Sequence, residues 1–228
     1  MLKSAWRFQA LTRSSFALWG AIPRVPTFPA VRRAQALISS SLATLGAALL
    51  GLTSLGATFA QAQDATWLLN PGTSDWNTAA NWNPATVPTG TATFDASNTT
   101  TLVINQANTQ IGRLQFNAGA PAYTFNVTGT GGGASSLIID GAGITNSSSN
   151  APTFVVSGVA GNLGTLQFEN SAAAGNAIIT TNAFGTTLFT DTATGGTATV
   201  VTNVGGTFDI SGLTSAGLTV GSIATVDG

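Results

Sequence analysis

Three segments in the last third of the chain carry one pattern at a fixed spacing. Phe168, Phe189 and Ile210 lie 21 residues apart, and so do Gly175, Gly196 and Gly217. Asn182 and Asn203 fill one slot in the first two copies. A fixed period of this length marks units that cannot bury their apolar side chains alone and do so by stacking. The prediction is an all-β solenoid, with Phe168, Phe189 and Ile210 as one inward ladder. Ile178 and Ile179 with Thr199, Val200 and Val220 form a second. The recurrent glycines suit tight or left-handed corners, the two asparagines suit a turn, and the plentiful Ala, Thr and Ser suit outward or corner positions.

Upstream, short runs rich in branched and aromatic residues alternate with Gly/Asn/Ser/Thr turns, as strands do. They cover 91–94, 100–104, 111–116, 123–127, 136–139 and 153–156. The string from Ile111 to Phe116 nearly recurs from Leu163 to Phe168, displaced by 52 residues. That displacement predicts a longer, irregular winding before the regular coils. In-register apolar residues argue against disorder, and the runs are shorter than membrane-barrel strands of about 9–11 residues.

Charge divides the chain sharply. Six of the seven basic residues (Lys3, Arg7, Arg13, Arg24, Arg32, Arg33) precede residue 34. Beyond residue 62 Arg113 alone faces eight acids, a net charge of −7. Such a surface repels phosphate backbones, which excludes nucleic acid as a partner. The chain contains no Cys and no His, so disulfides, thiolate metal sites and the commonest general base are all missing. After residue 62 the acids Asp140, Glu169, Asp191 and Asp209 are scattered, and Glu169, Thr190 and Ser211 share one repeat slot. Catalysis requires converging groups. No enzyme, cofactor or metal site is expected. Gly205-Gly-Thr-Phe-Asp209 only partly fits the glycine-rich calcium repeat and occurs once.

The basic leader runs into a small-residue apolar stretch, densest from Leu42 to Leu55, and then into Ala60-Gln-Ala62. Together these predict a helical signal peptide, cut before Gln63, with a retained anchor as the rival. Residues 1–62 are accordingly taken as extended N-region and signal peptide. Residues 63–110 form a Trp/Asn-rich cap, because an open solenoid end exposes strand edges. Residues 111–228 hold the coils, with 21-residue repeats from about 164. Trp67, Trp76 and Trp82 suit either the cap or, alternatively, a sugar-stacking platform.

Two tracts carry a family likeness. One runs from Trp67 through Trp76-Asn-Thr-Ala-Ala-Asn-Trp82, Val87-Pro88 and Ala92-Thr-Phe94 to Ile111-Gly-Arg-Leu-Gln-Phe116; the other spans Leu137 to Asn146. With the 21-residue units, they resemble the start of an autotransporter-associated β-strand repeat passenger. The resemblance implies a right-handed parallel β-helix displayed at the surface of a Gram-negative bacterium, exported through its own C-terminal outer-membrane barrel. No barrel-like run precedes Asp227-Gly228, so the expectation is an N-terminal passenger piece. Its expected role is surface display and adhesion to a glycan or protein ligand, without catalysis. Membrane contact is expected only through the leader or the barrel, and self-association through solenoid edges. A carbohydrate-binding module and, further off, a polysaccharide-degrading β-helix enzyme are the alternatives.

Overall fold

The computed structural model describes residues 61–226. The expected leader, with Ala60 of its cleavage signal, lies outside the described residues except for Gln61 and Ala62. The described part is all-β, apart from a three-residue 3-10 turn at Ala79–Asn81.

The chain opens with β1 (Ala65–Trp67), β2 (Trp82–Asn83), β3 (Thr91–Phe94) and β4 (Thr101–Ile104). Next come β5 (Thr109–Phe116), β6 (Thr124–Thr128), β7 (Ser135–Asn146) and β8 (Thr153–Ser157). β9 (Gly164–Phe168), β10 (Ile178–Thr181), β11 (Gly185–Asp191) and β12 (Thr199–Thr202) follow. β13 (Thr207–Leu213) and β14 (Ser222–Thr225) complete the set. All six runs singled out upstream are strands or lie largely within them. From β3 onward the strands alternate between two sheets. Odd-numbered strands build an eight-stranded sheet that begins at β2 and β1, and even-numbered strands a six-stranded one. The β1–β2 pair is antiparallel and the other strand pairs are parallel. Parallel stacking therefore starts at β1 and β3, inside the stretch expected to serve as a cap.

β5 and β7 each turn a corner. Thr109–Ile111 pairs with Leu137–Ile139, and after a register shift Arg113–Phe116 pairs with Gly143–Asn146. Only close approach of backbones permits this corner. A Cβ on Gly141 would lie 2.6 Å from the carbonyl oxygen of Gly112. The strip containing Gly143 continues as single bridges to Ala173 and from there to Thr194, which gives these three coils a short third side. Alanines fill that side: Ala172, Ala174, Ala177, Ala193 and Ala198 are buried. Of the outward or corner positions expected of alanine, these take corners, in turns, and there they are buried.

Strand residues alternate buried and partly exposed, as in β9 and β8. Stacking then sets like on like. Phe168 and Phe189 stack with centroids 4.6 Å apart, Phe125 and Phe154 at 4.9 Å, and Phe94 and Phe116 at 4.9 Å. Fully burying each ring stabilises the fold by about 1.5–3 kcal/mol. Ile210 does not extend the first ladder. The β11–β13 register shifts between Leu188 and Thr190, Ile210 is 40% exposed, and Phe208 meets Phe189 edge-on at 6.0 Å. In the second ladder Ile179 pairs with Val200 and then Ile223, so Ile223 takes the place expected of Val220.

The longer winding expected before the regular coils is present, although the two strings of the 52-residue echo do not share a place in it. Phe116 pairs with Asn146, whereas Phe168 pairs with Ile139. The two similar strings thus lie on different sides of the coil. Early coils are long, with Leu137 beside Thr109 and Leu166, and later ones are 21 residues, with Thr187 beside Leu166 and Phe208.

Candidate functional surface

The three tryptophans expected either to cap or to stack on sugars are all core residues. Trp67, Trp76 and Trp82 are at most 2% exposed. Trp82 packs edge-on to both others, at 5.0 Å and 4.9 Å. Its Nε1 donates to the Trp76 carbonyl oxygen at 2.8 Å, and Trp67 Nε1 donates to that of Thr99 at 2.9 Å. A ring covered on both faces offers no platform to a sugar, so the glycan site proposed for these residues is withdrawn. The indoles plug the first coils instead. Asn81, buried beside them, fixes the intervening loop by donating to Thr73 Oγ1 and the Asp75 carbonyl oxygen, each at 2.8 Å.

Gln63, the residue after the expected cleavage point, is exposed but tied down. Its carbonyl oxygen accepts from Thr89 N at 2.9 Å and Gly90 N at 2.8 Å, and its Oε1 accepts from Thr86 Oγ1 at 2.6 Å. Asp64 Oδ1 accepts from Thr91 N at 2.6 Å. Ala62 is exposed.

The acids are dispersed, and several are tied to groups on their own or the neighbouring coil. Asp75 holds Thr78 Oγ1 at 2.8 Å and Asp95 holds Asn117 Nδ2 at 2.8 Å. Glu169 holds Gln167 Nε2 at 2.5 Å, and Asp191 holds Asn170 N at 3.0 Å. Asp209 accepts from Ser211 N at 2.8 Å, and hydrogen bonds from the Ser211 side chain and backbone keep its carboxyl below the usual range. Among the described residues no three His, Cys, Asp or Glu side chains gather as metal ligands. Two shallow clefts, about 370 and 350 Å³, lie along the last coils. Thr202, Val204 and Val226 line one, and Ala193, Leu218 and Thr219 the other. Neither cleft contains an ionisable side chain.

What repeats on the surface is the polar tie between neighbouring coils. Asn203 Nδ2 donates to Asn182 Oδ1 at 2.7 Å, Asn170 Nδ2 to the Asp140 carbonyl oxygen at 2.9 Å, and Asn150 Nδ2 to that of Ala120 at 3.1 Å. Asn146 reaches Asn176 at 3.2 Å. The Asn182–Asn203 pair was visible in the sequence as a shared slot. The others were hidden, because their coils are not 21 residues long. Comparison with family models, curated proteins and solved structures found no match.

Proposed function

We propose that this chain is a segment of a right-handed parallel β-helix, exported by a cleaved leader and displayed at a Gram-negative cell surface as a contact surface. The reading follows the resemblance to autotransporter-associated β-strand repeat passengers. The observation that supports it best is the parallel pairing that runs through both sheets, with register shifts in the β5–β7 and β11–β13 pairs, in which both β-rich tracts of that resemblance are core strands. Stacked coils make a rod whose outward positions mix Thr, Asn, Gln and Ser with Val103, Ile138, Val155 and Leu188, and its length comes from repetition. Adhesion to a glycan or protein ligand fits a rod that presents many weak polar contacts. Catalysis does not fit acids dispersed over separate coils. Self-association through strand edges belongs to the same reading.

The test is to express the full chain in a Gram-negative host, fractionate the cells and sequence the N-terminus of the recovered product. The expected outcome is an exported protein that begins at Gln63 and gives a β-type circular dichroism spectrum. A product kept in the cytoplasm with its leader intact would overturn the export half of the proposal. A spectrum lacking β signal would overturn the rod.

A further inference from the structure

One corner of the coil carries an apolar ridge that the packing of the fold does not call for. Val159 is 43% exposed, Leu163 46%, Phe184 46% and Val204 60%. Gly164 pairs with Gly185, so Leu163 and Phe184, the residues just before them, occupy successive rungs, roughly 4.8 Å apart. The next rung holds Gly205, whose carbonyl oxygen accepts from Phe184 N at 2.9 Å.

Phe184 is the anomaly in this column. Its φ is +57°, in the left-handed region, where a bulky side chain is strained. The next rung uses a residue that tolerates that backbone: Gly205 has φ +75°. The Phe184 backbone completes its ladder on both sides, donating to Gly205 and accepting from Gly164 N at 3.2 Å. Glycine would do that equally well. The side chain is therefore held outward against backbone preference and is half-exposed, a combination that points to a contact with something outside the coil.

We infer that this ridge, centred on Phe184, is the face by which two copies of the chain associate side by side. The choice of occupant rests on charge. Residues 158–163, 181–185 and 202–206 contain no ionisable side chain, in a segment whose net charge beyond residue 62 is −7. Glu169 and Asp191 lie at the far ends of β9 and β11, roughly 17–23 Å along the strands. A basic partner would be drawn towards those acids and away from this corner. A second copy brings the same acids, and ridge against ridge about a two-fold axis keeps them apart. Phe184 then meets its own symmetry mate, or Leu163, at the centre, with Asn and Thr around it as a polar rim. This surface is distinct from the strand edges of the last coil, and the inference holds whether or not the chain is exported.

The test uses the full chain, which lacks cysteine. Sedimentation velocity across a concentration series should show a monomer–dimer equilibrium. Phe184→Gly should weaken it at least tenfold while leaving the β-type circular dichroism spectrum unchanged, since glycine accepts the left-handed backbone at that corner. In addition, Ala183→Cys, exposed beside Phe184 and leaving its ring in place, should form a disulfide-linked dimer under mild oxidation, and Ala118→Cys, exposed on a different loop, should not. Any of three results would overturn the inference: a monomer at every concentration, undiminished association in Phe184→Gly, or equal cross-linking at 183 and 118.

Discussion

The first coils and the last ones solve the same burial problem in opposite ways. At the N-terminal end the interior is bulky and irregular. Trp67, Trp76, Trp82, Phe94, Phe116, Tyr123 and Phe125 form one aromatic network, and successive coils differ in length. From β9 to β12 the interior is modest. Phe168 stacks on Phe189, Ala177 and Ala198 are both buried, and Thr181 shares a buried hydrogen bond of 2.7 Å with Thr187. Where shape must be unique, large rings interlock; where a unit repeats, small residues in strict register suffice. Terminal units of a stacked array are atypical because one face lacks a like neighbour. Here an antiparallel strand, β2, and the indoles close it.

The sharpest way to break that contrast is to remove an indole. Trp82→Ala should destabilise the fold by about 3–5 kcal/mol, the range for deleting a buried aromatic side chain, and it also leaves the Trp76 carbonyl oxygen without its donor. Denaturant unfolding checks this.

Tyr123 probes the same end by pH. It is the sole tyrosine, so tyrosinate absorbance reports it alone. Its hydroxyl donates to the Asp95 carbonyl oxygen at 2.7 Å, and burial pushes its pKa from 10.0 up to about 12. Because the folded pKa is raised, the folded state holds the proton more tightly. Stability is fully present below pH 10 and is lost as pH rises towards 12. Tyrosinate absorbance should therefore stay flat until near pH 12 or until unfolding, and a normal titration around pH 10 would contradict the burial.

The repeat itself can be sharpened by comparing two of its glycines. Gly196 has φ +59°, and a Cβ there would lie 2.6 Å from the Gly175 carbonyl oxygen. Gly196→Ala should cost roughly 1–3 kcal/mol, the range for a strained backbone. Gly217 fills the same sequence slot but is not left-handed, and its Cβ would meet nothing within 4 Å. Gly217→Ala should be close to neutral. The smallest effect belongs to the amide tie between coils. Asn203→Ala removes one hydrogen bond to Asn182 and should cost about 0.5–1.5 kcal/mol.

These contrasts also explain what could be read from the chain alone. Phe168 and Phe189 were legible as a ladder because their coils share length and register. Ile210 misled, since the shift between Leu188 and Thr190 leaves it exposed. Val220 misled because the last coil is two residues longer than the repeat, which brings Ile223 beside Val200. The tryptophans were ambiguous because Trp and Asn are shared by core plugs and sugar platforms alike, and only burial separates the two. Phe184 carried no signal at all: in sequence it is one more apolar residue in a repeat, and its strain and exposure exist only in three dimensions.

The central claim is parallel, in-register stacking at a 21-residue step, and engineered disulfides test it most directly. Thr165 and Thr186 are register partners on neighbouring strands, within the Cα separation of roughly 4.4–6.8 Å that a disulfide spans. Thr165→Cys with Thr186→Cys should oxidise quantitatively within one chain. Thr165→Cys with Leu188→Cys, two residues out of register, should not. Equal oxidation of both pairs, or oxidation of the second pair alone, would contradict the stacking.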